Sequence, residues 1–444
     1  MSKFSNMLLI FFILLSSFVF AKPEQETHPF SVHDLVMMKR IYDPQVSPDG
    51  KMIVFTLRTT DLEANRGRTD LWLMNSDGTN LRQLSTNPAS DYNPRWSADG
   101  SAIWFISTRS GSAQIWKLSL KGGEAQQATD QPLDVGNLVV AGDGKHLAFT
   151  MEVFPDCESI DCTVQKLKEI EERKTSGVIY ESLFVRHWDT WKDGRRSHVF
   201  VVQVAGGDAV DVMKGMDADS PSKPFGGPEE ITFTPDGKHI VFSARNVGVK
   251  EAWSTDFDLY LAPIDGSKKW KCLTDDNEAW DTSPVFSPDG KTLAYLAMKR
   301  PGYESDRFRI VLKSWPDGEN RVLTEDWDRS PGTFFWAPDG KTIYAKADNF
   351  GQGALFAVDV KSGKVTTVLS DGNVRSPSYG NKRIIYGLDN LKSPVELYSM
   401  KPNGEGIRKL TNINSGRLSA VRMGDYEQFT FEGWNTADDG SGTD

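Results

Sequence analysis

The sequence predicts an all-β fold, a seven-bladed β-propeller. Three observations predict it. A four-residue turn recurs at a blade-sized period, an apolar strand follows each turn, and a further apolar strand follows the first. Repeats of this length with several strands each are typical of propellers, whose blades are four-stranded sheets.

The recurrent turn reads Ser-Pro-Asp-Gly or a close variant. Pro presets φ at the second position of a type I turn, and Gly tolerates the geometry at its exit. A seventh repeat keeps the apolar strand, at Ile384–Tyr386, without the turn signature. Six copies of the turn occupy 47–50, 97–100, 141–144, 234–237, 287–290 and 337–340.

The following strand of each repeat gives the blade count independently. Only its third copy is far out of period, by roughly one blade length, so we expect an insertion in the third blade. The strands of every blade come from one continuous segment of the chain. This predicts a ring that is not closed by the usual exchange of a strand between the first and last blades. The seven copies start at Leu71, Ile115, Val199, Leu259, Ile310, Leu355 and Leu397.

The third-blade insertion spans about 152–197. Apolar residues three apart predict a helix from Thr163 to Lys174 within it. Cys157 and Cys162 lie close together in this insertion, and in an oxidising compartment they could close a small disulfide loop. Cys272 falls in an outer strand, where a buried free thiol is expected.

The chain divides into four parts. Residues 1–21 have the charge and apolar pattern of a signal peptide, since their apolar stretch is short for a membrane anchor. A leader with a short helix capped by Ser31 covers 22–40, the propeller covers 41–435, and 436–444 form a polar, disordered tail. We therefore expect a periplasmic or secreted protein.

The amino-acid composition excludes some classes of binding partner. The formal net charge is −10 without basic clusters, which argues against nucleic acid and, after signal cleavage, against a membrane surface. No metal-ligand spacing, phosphate loop or dinucleotide fingerprint is present, so we expect no metal and no cofactor. A Gly-x-Ser-x-Gly nucleophile elbow is also absent. The sequence gives no indication of the oligomeric state.

Four segments resemble a known family. Phe30–Leu35, Val185–His198, Arg300–Arg307 and Phe431–Asn435 look like the propeller of the prolyl oligopeptidase family, in its dipeptidyl peptidase V and acylaminoacyl-peptidase branch. The resemblance implies a Ser-His-Asp triad on an α/β-hydrolase domain that follows the propeller. Only 436–444 remain there, so we expect a truncated form, and no residue of this chain is assigned to the triad.

The resemblance implies that the propeller covers the catalytic cleft and helps to hold the peptide's end. A dipeptidyl peptidase must recognise a free α-ammonium, which calls for a carboxylate in a confined site. Arginines could hold a carbonyl or carboxylate, and aromatic side chains could wall the site; core packing or structural ion pairing is the alternative for each residue. The candidates are Glu251, Glu304 and Asp189 as carboxylates, Arg186 and Arg307 as cations, and Trp188, Trp191, Trp253 and Tyr303 as walls.

The leading hypothesis is thus the exported propeller portion of a serine exopeptidase, whose partners are a peptide substrate or the hydrolase domain. A stand-alone periplasmic propeller of the TolB type, which binds a protein partner, is the alternative. In either case we expect Arg186–Trp191 and Tyr303–Arg307 to face the same mouth of the propeller, because both lie outside the repeat pattern.

Covalent catalysis needs a nucleophile with a base in hydrogen-bond reach. The purified chain is therefore expected not to hydrolyse dipeptidyl or acyl-aminoacyl chromogenic substrates. Chromophore release should be measured before and after treatment with a serine-directed inhibitor. Turnover that survives the inhibitor would reveal an active site that the sequence does not disclose.

Overall fold

The computed structural model describes residues 27–181, 183 and 185–431. The predicted signal peptide and tail lie outside these residues, as does most of the segment Phe431–Asn435. None of the helices in the described residues is long and apolar enough to cross a bilayer.

The described residues form two units. The larger comprises 36–414 and is nearly all-β, and the smaller comprises 27–35 together with 415–431. In the smaller unit, His28–Pro29 pairs in parallel with Val421–Arg422.

Two short helices involve the smaller unit, Val32–Met37 and Ser415–Leu418. The predicted cap of the first helix is present, since the Ser31 amide donates to an Asp34 carboxylate oxygen over 3.0 Å and the Ser31 hydroxyl accepts from the Asp34 amide over 3.4 Å. In the same unit, Arg417 lies 3.4 Å from Asp34.

The larger unit contains seven groups of four consecutive antiparallel strands, numbered here as repeats 1 to 7. The predicted apolar segments fall on the second and third strands of these repeats. The strands are Arg40–Val46, Met52–Asp61, Arg66–Asn75 and Arg82–Gln83 in repeat 1; Asp91–Trp96, Ala102–Ser107, Gln114–Ser119 and Gln126–Gln127 in repeat 2; Gly136–Val140, His146–Val153, Arg196–Gln203 and Val210–Asp211 in repeat 3; Ile231–Phe233, His239–Ala244, Asp258–Pro263 and Lys271–Cys272 in repeat 4; Asp281–Phe286, Thr292–Ala297, Arg309–Ser314 and Asn320–Val322 in repeat 5; Pro331–Trp336, Thr342–Asn349, Gln352–Asp359 and Val365–Leu369 in repeat 6; and Asn373–Gly380, Arg383–Asn390, Ser393–Met400 and Arg408–Lys409 in repeat 7.

The strand pairing confirms an all-β propeller fold. Repeats 1 to 5 are separate four-stranded sheets, whereas repeats 6 and 7 are joined into one eight-stranded sheet by a single parallel pair, Gly353 with Asn373. The strands of the seven repeats therefore form six sheets, and the count of seven blades stays a prediction. Among the described residues of the larger unit, no sheet combines a strand from each end of the chain.

The recurrent turn has the expected hydrogen bond. In its first copy the Gly50 amide donates to the Ser47 carbonyl over 2.8 Å, and the Ser47 hydroxyl accepts from the Met52 amide over 2.9 Å. Gly50 has a φ of +74°, and a Cβ there would lie 2.4 Å from the Asn381 nitrogen of repeat 7. Both the left-handed backbone and the close approach require glycine.

Buried hydroxyl groups just after the outer strands form hydrogen bonds with the neighbouring strand. In five repeats a Ser or Thr after the fourth strand accepts a hydrogen bond from an amide of the third strand, over 2.8 to 3.1 Å. This contact explains the recurrent Leu-Thr and Leu-Ser endings, because the short outer strand leaves that buried amide without a backbone partner. The hydroxyls belong to Ser85, Thr129, Thr274, Thr324 and Thr411.

The insertion of repeat 3 contains the predicted helix, with different bounds. The helix runs from Ile160 to Glu171 rather than from Thr163 to Lys174. It begins earlier because the Ser159 hydroxyl caps it and accepts from the amide of Cys162. Cys162 forms a disulfide with Cys157, which ties the first helical turn to the loop before it. Cys272 is a free, half-buried thiol, and burial raises its pKa to about 12.

Two repeats place an aspartate at the start of the first strand, with different surroundings. Asp91 has both carboxylate oxygens within 2.8 Å of the Arg109 guanidinium. Asp281 is fully buried and accepts from the Asn277 side chain, but its second oxygen has no hydrogen-bond partner among the described residues. Burial, with a smaller contribution from neighbouring carboxylates, raises the pKa of Asp281 to about 8.

The Asp281→Asn variant should lose a pH dependence of stability. Folded Asp281 keeps its proton up to about pH 8, whereas its ordinary pKa is 3.8. Unfolding therefore releases a proton between these values, and the wild-type free energy of unfolding falls as pH rises through them. The free energy of unfolding of D281N, minus that of wild type, should therefore rise by at least about 1 kcal/mol between pH 5 and pH 8.

Urea unfolding at several pH values, followed by tryptophan fluorescence, measures this difference. Asp91→Asn is the matched control: it removes the carboxylate that pairs with the mostly buried Arg109 and should cost about 3 kcal/mol at neutral pH. Parallel pH profiles for wild type and D281N would contradict the assignment.

Candidate functional site

The predicted site residues lie in three connections of the larger unit. Each connection joins the second strand to the third strand of its sheet, in repeats 3, 4 and 5 respectively. Because neighbouring strands are antiparallel, all such connections leave the same edge of their sheets, which we call the loop edge. The Ser-Pro-Asp-Gly turns lie at the opposite edge, the turn edge. The topology is thus the one expected if Arg186–Trp191 and Tyr303–Arg307 face one mouth.

Arg186–Trp191 forms a small hairpin in the repeat 3 connection. Arg186–His187 pairs with Thr190–Trp191, so Trp188 and Asp189 occupy its tip. Trp188 has a φ of +52°, an uncommon conformation for a bulky side chain. The residue is 69% exposed.

Aromatic contacts accompany the hairpin. The Trp188 ring packs edge-on against Phe225, with centroids 5.1 Å apart, and the Trp191 ring stacks on Tyr180 at 5.9 Å. The Arg186 guanidinium lies 5.5 Å from the Trp191 ring centroid. These rings remain largely exposed, so they offer aromatic surface at the loop edge instead of filling the core.

Glu251, in the repeat 4 connection, is a buried and paired carboxylate. Arg196 donates to both of its oxygens over 2.8 and 2.7 Å, and the Lys192 ammonium lies 2.8 Å away. The Arg245 guanidinium lies 3.9 Å away. We name Glu251, Lys192, Arg196 and Arg245 the ion cluster. Its geometry opposes the predicted role for Glu251, because three cations already surround the carboxylate.

The surroundings of Glu251 and Arg196 favour the charged form of each side chain. Burial opposes the charge of Glu251, but hydrogen bonds from Arg196 and Lys192 outweigh it and lower the pKa of Glu251 to about 2. Burial likewise acts to lower the pKa of Arg196, yet Glu251 and the carboxylates of Asp217 and Asp219 raise it overall. Glu251 and Arg196 therefore stay charged across the physiological range.

Arg307, in the repeat 5 connection, is bound to the backbone. Its guanidinium donates to the carbonyl oxygens of Thr324, Glu325 and Trp327 over 2.7 to 3.0 Å. These bonds hold the chain that follows the outer strand of the same repeat. The predicted contact of Arg307 with a substrate carboxylate is thus not favoured by its surroundings.

Trp253, Tyr303 and Glu304 remain exposed at the loop edge. The Gly302 amide donates to the Thr255 hydroxyl over 2.8 Å, which joins the connections of repeats 4 and 5. Burial lowers the pKa of Arg245, while the charges of Glu251 and Glu304 act in the opposite direction, so Glu304 lies within electrostatic reach of the ion cluster.

The sequence interpretation missed Lys192, Arg196 and Arg245. All three lie beside predicted residues or at a strand end, and Arg196 opens the apolar third strand of repeat 3. A cation at the start of a buried strand was the available signal, because such a charge needs a partner. Across the described part of the chain, no three His, Cys, Asp or Glu side chains are arranged to hold a metal ion.

Comparisons with known proteins agree with this architecture. A family profile described as the TolB beta propeller domain matches residues 36–177. Dipeptidyl-peptidase 5 from Porphyromonas gingivalis is 28% identical over 403 residues, which cover 86% of this chain and 56% of that protein. The chain thus spans little more than half the length of that relative.

Solved structures support the fold. An acylaminoacyl peptidase from Pyrococcus horikoshii superposes with a TM-score of 0.64 at 18% identity and covers 87% of this chain and 55% of its own. The propeller domain of the trilobed protease from Pyrococcus furiosus, described as having an open velcro topology, superposes with a TM-score of 0.56 at 14% identity, over 85% of this chain and 96% of that one.

Replacing Arg307 tests its structural role. Arg307→Met leaves three backbone carbonyls without their donor and should lower the free energy of unfolding by roughly 2–3 kcal/mol. Arg300→Met is the matched control, since the exposed Arg300 stacks on Tyr303 at 4.1 Å, and its loss should cost no more than about 0.5 kcal/mol. Equal urea midpoints for the two variants would contradict this role.

Proposed function

Because this chain is a homologue of the dipeptidyl-peptidase 5 proteins over its propeller, we propose that its loop edge holds and orients the free amino end of a peptide. The propeller would serve a serine exopeptidase whose catalytic groups are not assigned to any residue of this chain. Gating of the cleft, which the family resemblance implies, belongs to the same proposal.

The distribution of exposed apolar side chains supports this role. Connections between second and third strands carry large exposed hydrophobic residues in six repeats, whereas in the connections at the turn edge of the described residues such residues are limited to Leu81 and Ile407. Aromatic side chains supply contact area with little loss of conformational freedom. The residues at the loop edge include Leu62, Trp188, Trp191, Val249, Trp253, Tyr303, Phe350 and Leu391.

The charges at this edge favour Glu304 as the group that receives the ammonium. Glu251 already faces three cations, so it has little attraction left for a fourth. Glu304 is exposed and follows Tyr303, whose ring is 44% exposed. A carboxylate beside an aromatic ring can accept charge-assisted hydrogen bonds from an α-ammonium while the ring covers the adjoining chain. Asp189 at the hairpin tip is the second candidate.

Export forms part of the proposal. The apolar pattern of residues 1–21 and the Cys157–Cys162 disulfide both suit an oxidising compartment, the periplasm or the exterior. The description of the matching profile favours one other function, a propeller of the TolB type that binds a protein partner.

Peptide binding distinguishes these functions. A short peptide with a free amino terminus should bind and change tryptophan fluorescence, and its N-acetylated form should bind at least about tenfold more weakly. Glu304→Gln should weaken binding of the free form about tenfold and leave the acetylated form unchanged.

Glu319→Gln is the matched control, because Glu319 is an exposed residue of the same repeat, between its third and fourth strands at the turn edge. It should bind as wild type does. Equal affinity of wild type for both peptides, or no binding of either, would rule out amino-end recognition and leave the partner-binding function as the better explanation.

A further inference from the structure

We propose that Glu251 is a positioning residue: through Lys192 its carboxylate fastens the exposed Arg186–Trp191 hairpin to repeat 4. The contact itself is independent of any ligand. Its consequence for peptides, that the hairpin is held at a fixed place on the loop edge, rests on the proposed function.

Lys192 is the base of the hairpin. It follows Trp191 directly, and its amide donates to the Val185 carbonyl over 3.0 Å, which continues the pairing of Arg186 with Trp191. Its ammonium reaches Glu251 over 2.8 Å, and both side chains are mostly buried. The pair thus connects the residue directly after the hairpin to a different repeat, 59 residues away.

The hairpin has little packing to fix its orientation. Trp188 is 69% exposed and Trp191 60% exposed, and Arg186, Asp189 and Thr190 are exposed as well. Apolar burial is therefore small, and the stabilisation it brings is proportionally small. A charge-assisted hydrogen bond away from bulk water is stronger than a neutral one and is screened little by salt.

The charges of the ion cluster balance when its neighbours Asp217 and Asp219 are included. Lys192, Arg196 and Arg245 provide three positive charges, and Glu251 with Asp217 and Asp219 provides three negative ones. Removal of the Glu251 charge leaves the cations facing one another, so Lys192 would be repelled from the site that now holds it. The far end of the hairpin has a separate contact, where Trp188 meets Phe225.

Replacement of Lys192 isolates the link to the hairpin. Lys192→Met keeps the length of the side chain and the two-oxygen contact of Arg196 with Glu251, but it loses the charge. Hydrogen exchange of the amides in 185–192, measured by mass spectrometry on the full chain, should accelerate at least about tenfold. Lys192→Arg should restore slow exchange, because a guanidinium can reach the same carboxylate.

Two further variants make the result specific. Lys166→Met removes a cation from the helix of the same insertion, one that pairs with Asp156 before the helix, and should leave exchange in 185–192 as in wild type. Glu251→Gln should accelerate exchange as Lys192→Met does and should also lower the melting temperature, because Arg196 loses one of its three carboxylate partners and Arg245 loses a nearby opposite charge.

Unchanged exchange in 185–192 for Lys192→Met would overturn the proposal, as would failure of Lys192→Arg to restore it. Peptide affinity is measured on the same variants and should fall in Lys192→Met and recover in Lys192→Arg. If wild type binds no peptide, the proposed function fails, while the exchange rates still decide whether Glu251 positions the hairpin.

Discussion

The larger unit depends on the packing of its first repeat against its seventh. One hydrophobic cluster combines Ile53 and Phe55 of repeat 1 with Ile385 and Leu397 of repeat 7, and no shared strand joins these repeats in the described residues. The same kind of contact recurs between neighbours, where the glycine of one turn meets the preceding turn, as Gly290 meets Pro235. Each repeat therefore obtains its burial from the two beside it, as repeat proteins do.

The turn edge and the loop edge therefore differ in their roles. The recurrent four-residue turns at one edge place their glycines close to the neighbouring repeat, as Gly50 lies against Asn381 and Gly290 against Pro235. At the other edge, repeats 3, 4 and 5 use longer connections for the hairpin, the ion cluster and the Gly302 loop. Rigid sheets below long loops are a common way to present binding groups.

The fold could be predicted from the sequence because its signals are local. A turn and its strand lie within ten residues, and their chemistry repeats, so strands were placed correctly even where the turn had changed. The helix bounds were wrong by three residues, since the apolar spacing did not include the cap at Ser159. The ion pairing of Glu251 could not be predicted for another reason: Arg196 and Lys192 lie 55 and 59 residues away, and no local pattern shows which distant charges meet.

The junction at the two ends of the larger unit has a consequence for chain connectivity. The Lys39 amide donates to the Asn414 side-chain oxygen over 2.9 Å, and the Asn414 side-chain nitrogen donates to the Lys39 carbonyl over the same distance. The two ends of the larger unit are thus adjacent, and non-covalent contacts hold them together. A circular permutant, with these ends linked and new termini opened at a turn between other repeats, keeps every sheet intact. The contacts between repeat surfaces, rather than the position of the chain termini, determine how the repeats are arranged.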